Sequence, residues 1–369
     1  MKVSSMSNRR TFLKILGGGV ILAAGGGGAF LSTRTPTRAL APWSAAGDYA
    51  DPRKRALSYA ILAPNPHNRQ PWMVDLSIAG EVAVWRDKSK NLPETDPFDR
   101  QLTIGMGCFL EQMATAASQT NHALEFDLFP EGEEGPVALV RFREGAAPDP
   151  LFVHIPHRRS CKEPFDARVP GADPSLLALA DIHTDQALVE KLRKLTWDAW
   201  MIEATTHRTM KESTDLFRLG KAEIEANPDG IDFSGPFFET LIMAGLMTRE
   251  GSLDPQSMEF AEGAKIYNEM LFATPAYAVI RTPANDRAAQ IDAGRRWLRL
   301  NLTTTALGLS LHPVSQALQE YPEMAKHYSE IHSMLARTGE TVQMLGRLGY
   351  GPEVPVSPRW PLEAKLMNG

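Results

Sequence analysis

The chain has 369 residues, 43% of them hydrophobic, and a formal net charge of -5 with the two signs interspersed. That is enough apolar material for one large or two ordinary domains with a real core. It excludes a nucleic-acid surface, because no Lys/Arg stripe appears outside the first fifteen residues. Two cysteines, Cys108 and Cys161, are too few for a disulfide framework or a metal cluster. The nine histidines include no HExxH or closely paired spacing, so no metal site is expected.

In chain order, Ser7-Asn8-Arg9-Arg10-Thr11-Phe12-Leu13-Lys14 precedes a glycine-diluted apolar run and resembles a twin-arginine export signal. Ala39-Leu40-Ala41 has a small-x-small cleavage pattern, but Pro42 follows it, so release and retention on the membrane both stay open. The expected location is periplasmic, or anchored on the outer face of the inner membrane. Asp51-Pro52 then starts a helix, aspartate as cap and proline in the first turn, running to Ala63 where Pro64 stops it. The loop Ala63–Trp72, APNPHNRQPW, follows. Val74, Leu76 and Ile78 alternate with polar residues, Gly80-Glu81 turns, and Val82 and Val84 resume the alternation as a hairpin. A helix is predicted over 99–118 with Leu102, Met106, Phe109, Leu110, Met113 and Ala117 on one face. Strands over 123–129 and 137–142 complete the first unit, and 145–150 is a linker. Beyond it, Asp173-Pro174 and Asp254-Pro255 repeat the cap-and-proline start, 277–280 is a strand, and 285–309 is a second long helix.

The two long helices repeat each other at an offset of 187 residues: Asp99, Arg100, Ile104, Gly107 and Leu124 meet Asp286, Arg287, Ile291, Gly294 and Leu311. Asn121 meets Gly308 where each helix should end in a left-handed cap. Two copies of one α+β unit in a single chain make a covalent version of a two-fold dimer.

Two further stretches carry chemistry. His157-Arg158-Arg159-Ser160-Cys161-Lys162-Glu163-Pro164-Phe165 gathers cationic donors suited to a phosphate beside an electron-rich ring, or else forms a solvated basic turn. Gly349–Pro361 is an extended, proline-spaced tail with one arginine, Arg359, suited to strapping across another surface.

Together, over residues 50–365, these segments resemble the nitroreductase family of FMN proteins. APNPHNRQPW is similar to that family's Pro-Ser-Ser-x-Asn-x-Gln-Pro-Trp loop, with Asn65 and Pro66 in place of the serines. RRSCKEPF resembles its Arg-Arg-Ser-x-Arg-x-Phe start, LTTTALGLSLHPVSQ its helix end and Pro loop, and SPRWPL its C-terminal arginine segment. The resemblance implies an α+β nitroreductase-like fold in which two related halves form an intramolecular pseudo-dimer. Because the first half carries only the Asn loop and the second only the other three motifs, one flavin site is implied rather than two. Arg158, Arg159, Ser160 and Arg359 would clamp phosphate and ribityl oxygens, and Lys162 would lie at the N1–O2 edge. Asn65, Pro66, Asn68 and Gln70 would approach from the opposite half, Asn68 bonding the flavin and Gln70 supporting the loop. Pro313, Val314 and Ser315 would pass the ring's N5. The arrangement resembles the Acg-type branch most closely, which implies a helical lid over 227–262, with Phe233, Phe237 and Phe238 shielding the ring or packing as core. The boundaries read as 1–46 signal and linker, 47–150 first half, and 151–369 second half.

The activity implied is an FMN-dependent, ping-pong oxidoreductase reducing a small electron-poor acceptor such as a nitroaromatic or quinone. Flavin chemistry of this kind needs no separate acid–base triad, and no catalytic side chain is singled out. Outside the cytoplasmic membrane no NAD(P)H pool exists, which points to a quinol or a membrane redox partner as donor. The alternative is a non-catalytic protein that binds or sequesters FMN. With the dimer built into one chain, the protein is expected to be monomeric.

Overall fold

The computed structural model describes residues 33–367, so Arg9, Arg10 and the apolar run after them lie outside the described residues. No helix among the described residues is long and apolar enough to cross a membrane.

In the first half, β1 (Trp72–Asp75), β2 (Glu81–Arg86), β3 (His122–Leu128) and β4 (Ala138–Glu144) form an antiparallel sheet in the order β1-β2-β4-β3. In the second half come β5 (Asp181–His183), the parallel pair β6 (Phe217–Leu219) and β7 (Ile231–Phe233), then β8 (Ala276–Thr282), β9 (Ser310–Pro313) and β10 (Thr341–Gly349). Four of these form a second antiparallel sheet in the order β5-β8-β10-β9. Both sheets therefore read first-second-fourth-third along the chain. Each has a long helix between its second and third strands, Arg100–Ala117 and Arg287–Ala306. The halves differ in what joins the first two strands. A short turn through Gly80 joins β1 to β2, whereas helices and the β6–β7 pair fill the chain from Gln186 to Phe272. The predicted 227–262 lid is the distal part of that larger insertion.

The two long helices cross at the glycines matched in sequence. A Cβ on Gly107 would lie 2.2 Å from the Ile291 carbonyl oxygen, and a Cβ on Gly294 would lie 1.9 Å from that of Ile104. Each glycine thus meets the isoleucine three residues before the other glycine, a reciprocal contact between the two helices. The arginines one turn earlier reciprocate too. Arg100 donates to the Leu318 and Gln343 carbonyls at 2.6 and 2.9 Å. Arg287 donates to the Phe98 carbonyl at 2.8 Å. Asn121 (φ 61°) and Gly308 (φ 68°) both adopt the left-handed conformation expected of them.

Two expectations need correction. The first helix is buried on its polar face as well as its apolar one, because that face is pressed against the second helix. There Glu111 accepts from Arg295 at 2.8 Å and Arg299 at 3.0 Å. Its N-terminus is capped by Asp96, whose carboxylate accepts the Gln101 and Leu102 amides at 3.0 and 2.9 Å, while Asp99 is left-handed and pairs with Arg86. Asp254-Pro255 does not start a helix. Asp254 ends the helix Arg249–Leu253, and Ser257 caps Met258–Phe272 by accepting the Phe260 amide at 2.9 Å.

Candidate functional site

The helix Pro52–Ala60 is capped by Asp51 as expected and ends three residues early, which leaves the Leu62 and Ala63 carbonyls at the mouth of the APNPHNRQPW loop. His67, Asn68 and Gln70 hold φ near +50°, a conformation that costs L-residues on the order of 1 kcal/mol each. The loop keeps it through its own amides. Asn65 Oδ1 accepts the Gln70 amide at 2.7 Å, and Asn65 Nδ2 donates to the Ala63 carbonyl at 3.1 Å. Gln70 is fully buried and ties the loop outward. Its Nε2 donates to the Pro228 carbonyl at 2.7 Å and its Oε1 accepts the Trp360 amide at 2.9 Å. Asn65 and Pro66 pack against Gly105 of the first long helix.

Two arginines converge on that loop, and a third, Arg159, stands beside them over the Trp43 ring that Arg359 also faces. Arg158 and Arg359, each 3% exposed, both donate to the Leu62 carbonyl at 3.1 Å. Arg359 also donates to Ala63 O at 3.2 Å and to Asn68 Oδ1 at 2.7 Å, and Asn68 Nδ2 returns a bond to the Pro358 carbonyl at 3.0 Å. Arg159 bonds the Val354, Pro156 and Arg158 carbonyls. The bonds of all three go to neutral oxygens, and the Nε of Arg158 and of Arg359 is buried without a partner. Burial pushes Arg158 down to about 10; burial together with the neighbouring Arg158 pushes Arg359 down to about 9. Cationic groups held together against repulsion, with two N–H donors left over, are what a phosphate's oxygens satisfy.

Beside the clamp stand Lys162, His67 and Asp232, whose charges act on one another. Lys162 keeps solvent contact, yet the protein around it penalises its charge and lowers its pKa; Asp232 opposes that shift. His67, half-exposed, is pushed down to about 4, mainly by burial and then by Lys162 and Arg69, and its Nδ1 has no partner. Burial raises the Asp232 carboxyl, and Lys162 and Arg359 oppose that rise. Because the folded pKa of His67 is depressed, the stability it contributes is present above about 6.5 and is lost as pH falls towards 4. His67→Gln should therefore flatten acid unfolding over that window by on the order of 2 kcal/mol after allowance for partial exposure. Urea midpoints at pH 7 and pH 4.5 check this, and equal pH slopes in the two proteins would contradict it.

The Cys161 amide donates to Leu311 O at 3.2 Å, which sets half-buried Ser160 and exposed Lys162 on either side of a residue joined to β9. Two residues beyond Leu311 are Pro313, Val314 and Ser315. The Val314 amide is engaged by Leu345 O at 2.9 Å, and Ser315 turns the chain into the segment Gln316–Leu318. His312, buried between Arg347 and this region, is held well below its ordinary range by burial, Arg347 and Lys162. The sequence-predicted residues thus fall into two adjoining groups: Asn65, Pro66, Asn68, Gln70, Arg158, Arg159 and Arg359 around the clamp, and Ser160, Lys162 and Pro313–Ser315 around β9.

The insertion closes over the clamp. The Gly230 amide donates to Asn68 O at 3.2 Å, and Asp229 accepts from Lys90 at 2.6 Å, Arg218 at 2.7 Å and Trp360 at 3.3 Å. Phe233 packs edge to face on Phe217 and Phe238, and Phe238 on Phe237, which stays 50% exposed. Sequence reasoning missed Asp232, although it stands in the Gly-Ile-Asp-Phe run. It also missed Trp43, for which no local signal exists: the indole lies under the Arg159 and Arg359 guanidiniums at 5.2 and 5.5 Å.

No family model matches the chain. Over 330 residues it is 24% identical to a Mycobacterium tuberculosis protein whose name places it among the NAD(P)H nitroreductases, covering 84% of this chain and 89% of that one, in each of two strains. PigM of Serratia sp. (strain ATCC 39006), also named an NAD(P)H nitroreductase, is 32% identical over 77 residues, 20% of this chain and 21% of that protein. Among solved structures, the FMN-dependent nitroreductase NfnB from Mycobacterium smegmatis in complex with NADPH is similar at a TM-score of 0.36 and 18% identity, over 56% of this chain and 92% of that one.

Proposed function

We propose that the chain is an FMN-binding oxidoreductase of the nitroreductase type, with a single flavin held between two halves of duplicated origin. The observation that carries it is the clamp: Asn68 from the first half and Arg158, Arg159 and Arg359 from the second meet in one unpaired cationic cluster with two orphaned, buried N–H donors. Duplication is supported by the shared strand order and by the reciprocal crossing at Gly107 and Gly294. When bound, FMN would supply two-electron transfer at N5.

The chain's own residues would hold and tune it. Arg158, Arg159 and Arg359 grip the phosphate, Asn68 fixes Arg359 from across the interface, and Asn65 and Gln70 keep the loop in its left-handed form. The carbonyl of Val314 and the amide of Ser315 are the backbone groups available to N5, because the Val314 amide is engaged. Lys162 places positive charge beside the clamp, where it would favour added electrons on a bound flavin. Lys162→Met should therefore lower the flavin's reduction potential, as read by equilibration with a reference dye; an unchanged potential would remove Lys162 from the ring edge.

The acceptor class is a small electron-poor molecule, a nitroaromatic or quinone. The relatives' names make NAD(P)H a donor to test beside a quinol, the donor suited to a chain exported through Arg9-Arg10. A second reading, FMN sequestration, is favoured by the insertion's direct bond from Gly230 to the Asn68 loop. An anaerobic titration of the flavin-loaded chain with NADPH, NADH and a reduced quinone separates the readings. Rapid bleaching by one donor, with recovery on adding a nitroaromatic or quinone, is the result for the oxidoreductase; bleaching by dithionite alone is the result for sequestration.

A further inference from the structure

The segment ahead of the first half is not a slack linker. Its helix Thr37–Ala45 lies across the clamp, with Ala39 and Pro42 buried, so that Ala39-Leu40-Ala41 sits within a docked element. At one end, Trp43 packs under Arg159 and Arg359 and its indole N–H donates to Ser357 O at 2.8 Å, while the Arg359 amide donates to Ala39 O at 2.9 Å. At the other end, the same segment holds the insertion. Arg38 donates through its amide and its Nε to the Glu225 carboxylate, both at 3.0 Å. Lys221 Nζ donates to Thr33 O at 3.1 Å, and Arg34 lies 3.7 Å from Glu239 of the helix Pro236–Met243 that carries Phe237 and Phe238.

We infer that residues 33–45 form a latch which seals the outer side of the arginine clamp with Trp43 and fastens the insertion to it through Arg38 and Glu225. Bound flavin then leaves only when the latch lifts. This rests on the FMN reading of the clamp. Physically, an indole face against two guanidiniums excludes water from charges that must hold a phosphate, and it adds attraction to cations whose burial is otherwise unfavourable. The contacts to Glu225 and Glu239 are partly exposed and individually weak, so they set how often the latch opens rather than how tightly the phosphate is held.

The test is the dissociation rate of FMN from the full chain, followed by recovery of flavin fluorescence on dilution, with association measured in parallel and the melting temperature of each flavin-free variant as a folding check. Trp43→Ala should speed release on the order of tenfold without slowing association. Trp43→Phe, which keeps a ring but loses the Ser357 bond, should fall between. Glu225→Gln, which touches no clamp arginine, should speed release by a smaller factor. If the unmodified chain takes up no FMN, the site reading fails and the latch with it. If it binds FMN and Trp43→Ala and Glu225→Gln both release it at the unmodified rate, the latch alone is overturned. Acceleration in Trp43→Ala alone overturns the coupling to the insertion.

Discussion

Replacing Arg359 with alanine should weaken FMN binding about 100-fold, the loss expected of a charge-assisted contact worth roughly 1.5–3 kcal/mol. The guanidinium is buried, has an Nε without a partner, and joins the C-terminal strap to Asn68 and to the carbonyls ending the helix Pro52–Ala60. Riboflavin, which lacks the phosphate, separates loss of the anion contact from collapse of the loop. Fluorescence titrations should show Arg359→Ala losing far more affinity for FMN than for riboflavin, whereas an equal loss for both would make Arg359 a scaffold residue. The flavin-free clamp is an electrostatic liability, since Arg158 and Arg359 are charged at neutral pH against their surroundings. FMN should accordingly raise the melting temperature more than riboflavin does at equal saturation.

The second large effect is predicted where the long helices cross. Gly294→Ala should destabilise the protein by about 3 kcal/mol or more, because the new methyl would sit 1.9 Å from the Ile104 carbonyl oxygen, a backbone atom that cannot swing aside. Gly107→Ala should cost a similar amount, and the double variant less than the sum, because one separation of the helices relieves both clashes. Gly263 is the control. It lies inside the helix Met258–Phe272 with nothing near its missing Cβ, so Gly263→Ala should stabilise by up to about 1 kcal/mol. Urea unfolding checks all four. If Gly294→Ala matches the unmodified chain in midpoint, the crossing is looser than described.

Much of this was legible in the sequence because its signals are local. The aspartate caps at 51 and 173, the left-handed stops at Asn121 and Gly308, and the apolar periodicity of both long helices each depend on neighbours within a turn or two. The Asn68–Arg359 pairing, 291 residues apart, was reachable only through resemblance to a family that splits its site between subunits. What stayed hidden is tertiary. Asp96 caps the first long helix from outside its predicted span, because the chain bends through a left-handed Asp99 that no pattern announces. β6 and β7 are three residues each and parallel, too short for alternation to register. Trp43 stands in a stretch whose composition reads as a leader, and only its docking on two distant arginines gives it meaning.

The measurement that tests the central claim most directly is the flavin content of the purified full chain after saturation with FMN and removal of the excess, with the absorbance of released flavin set against protein concentration and the mass in solution taken by light scattering. One FMN per chain, retained by the unmodified protein and lost by both Asn68→Ala and Arg158→Ala, is the result predicted for a single site built from the two halves. Two flavins per chain, none, or one that survives the Asn68 change undiminished would contradict it.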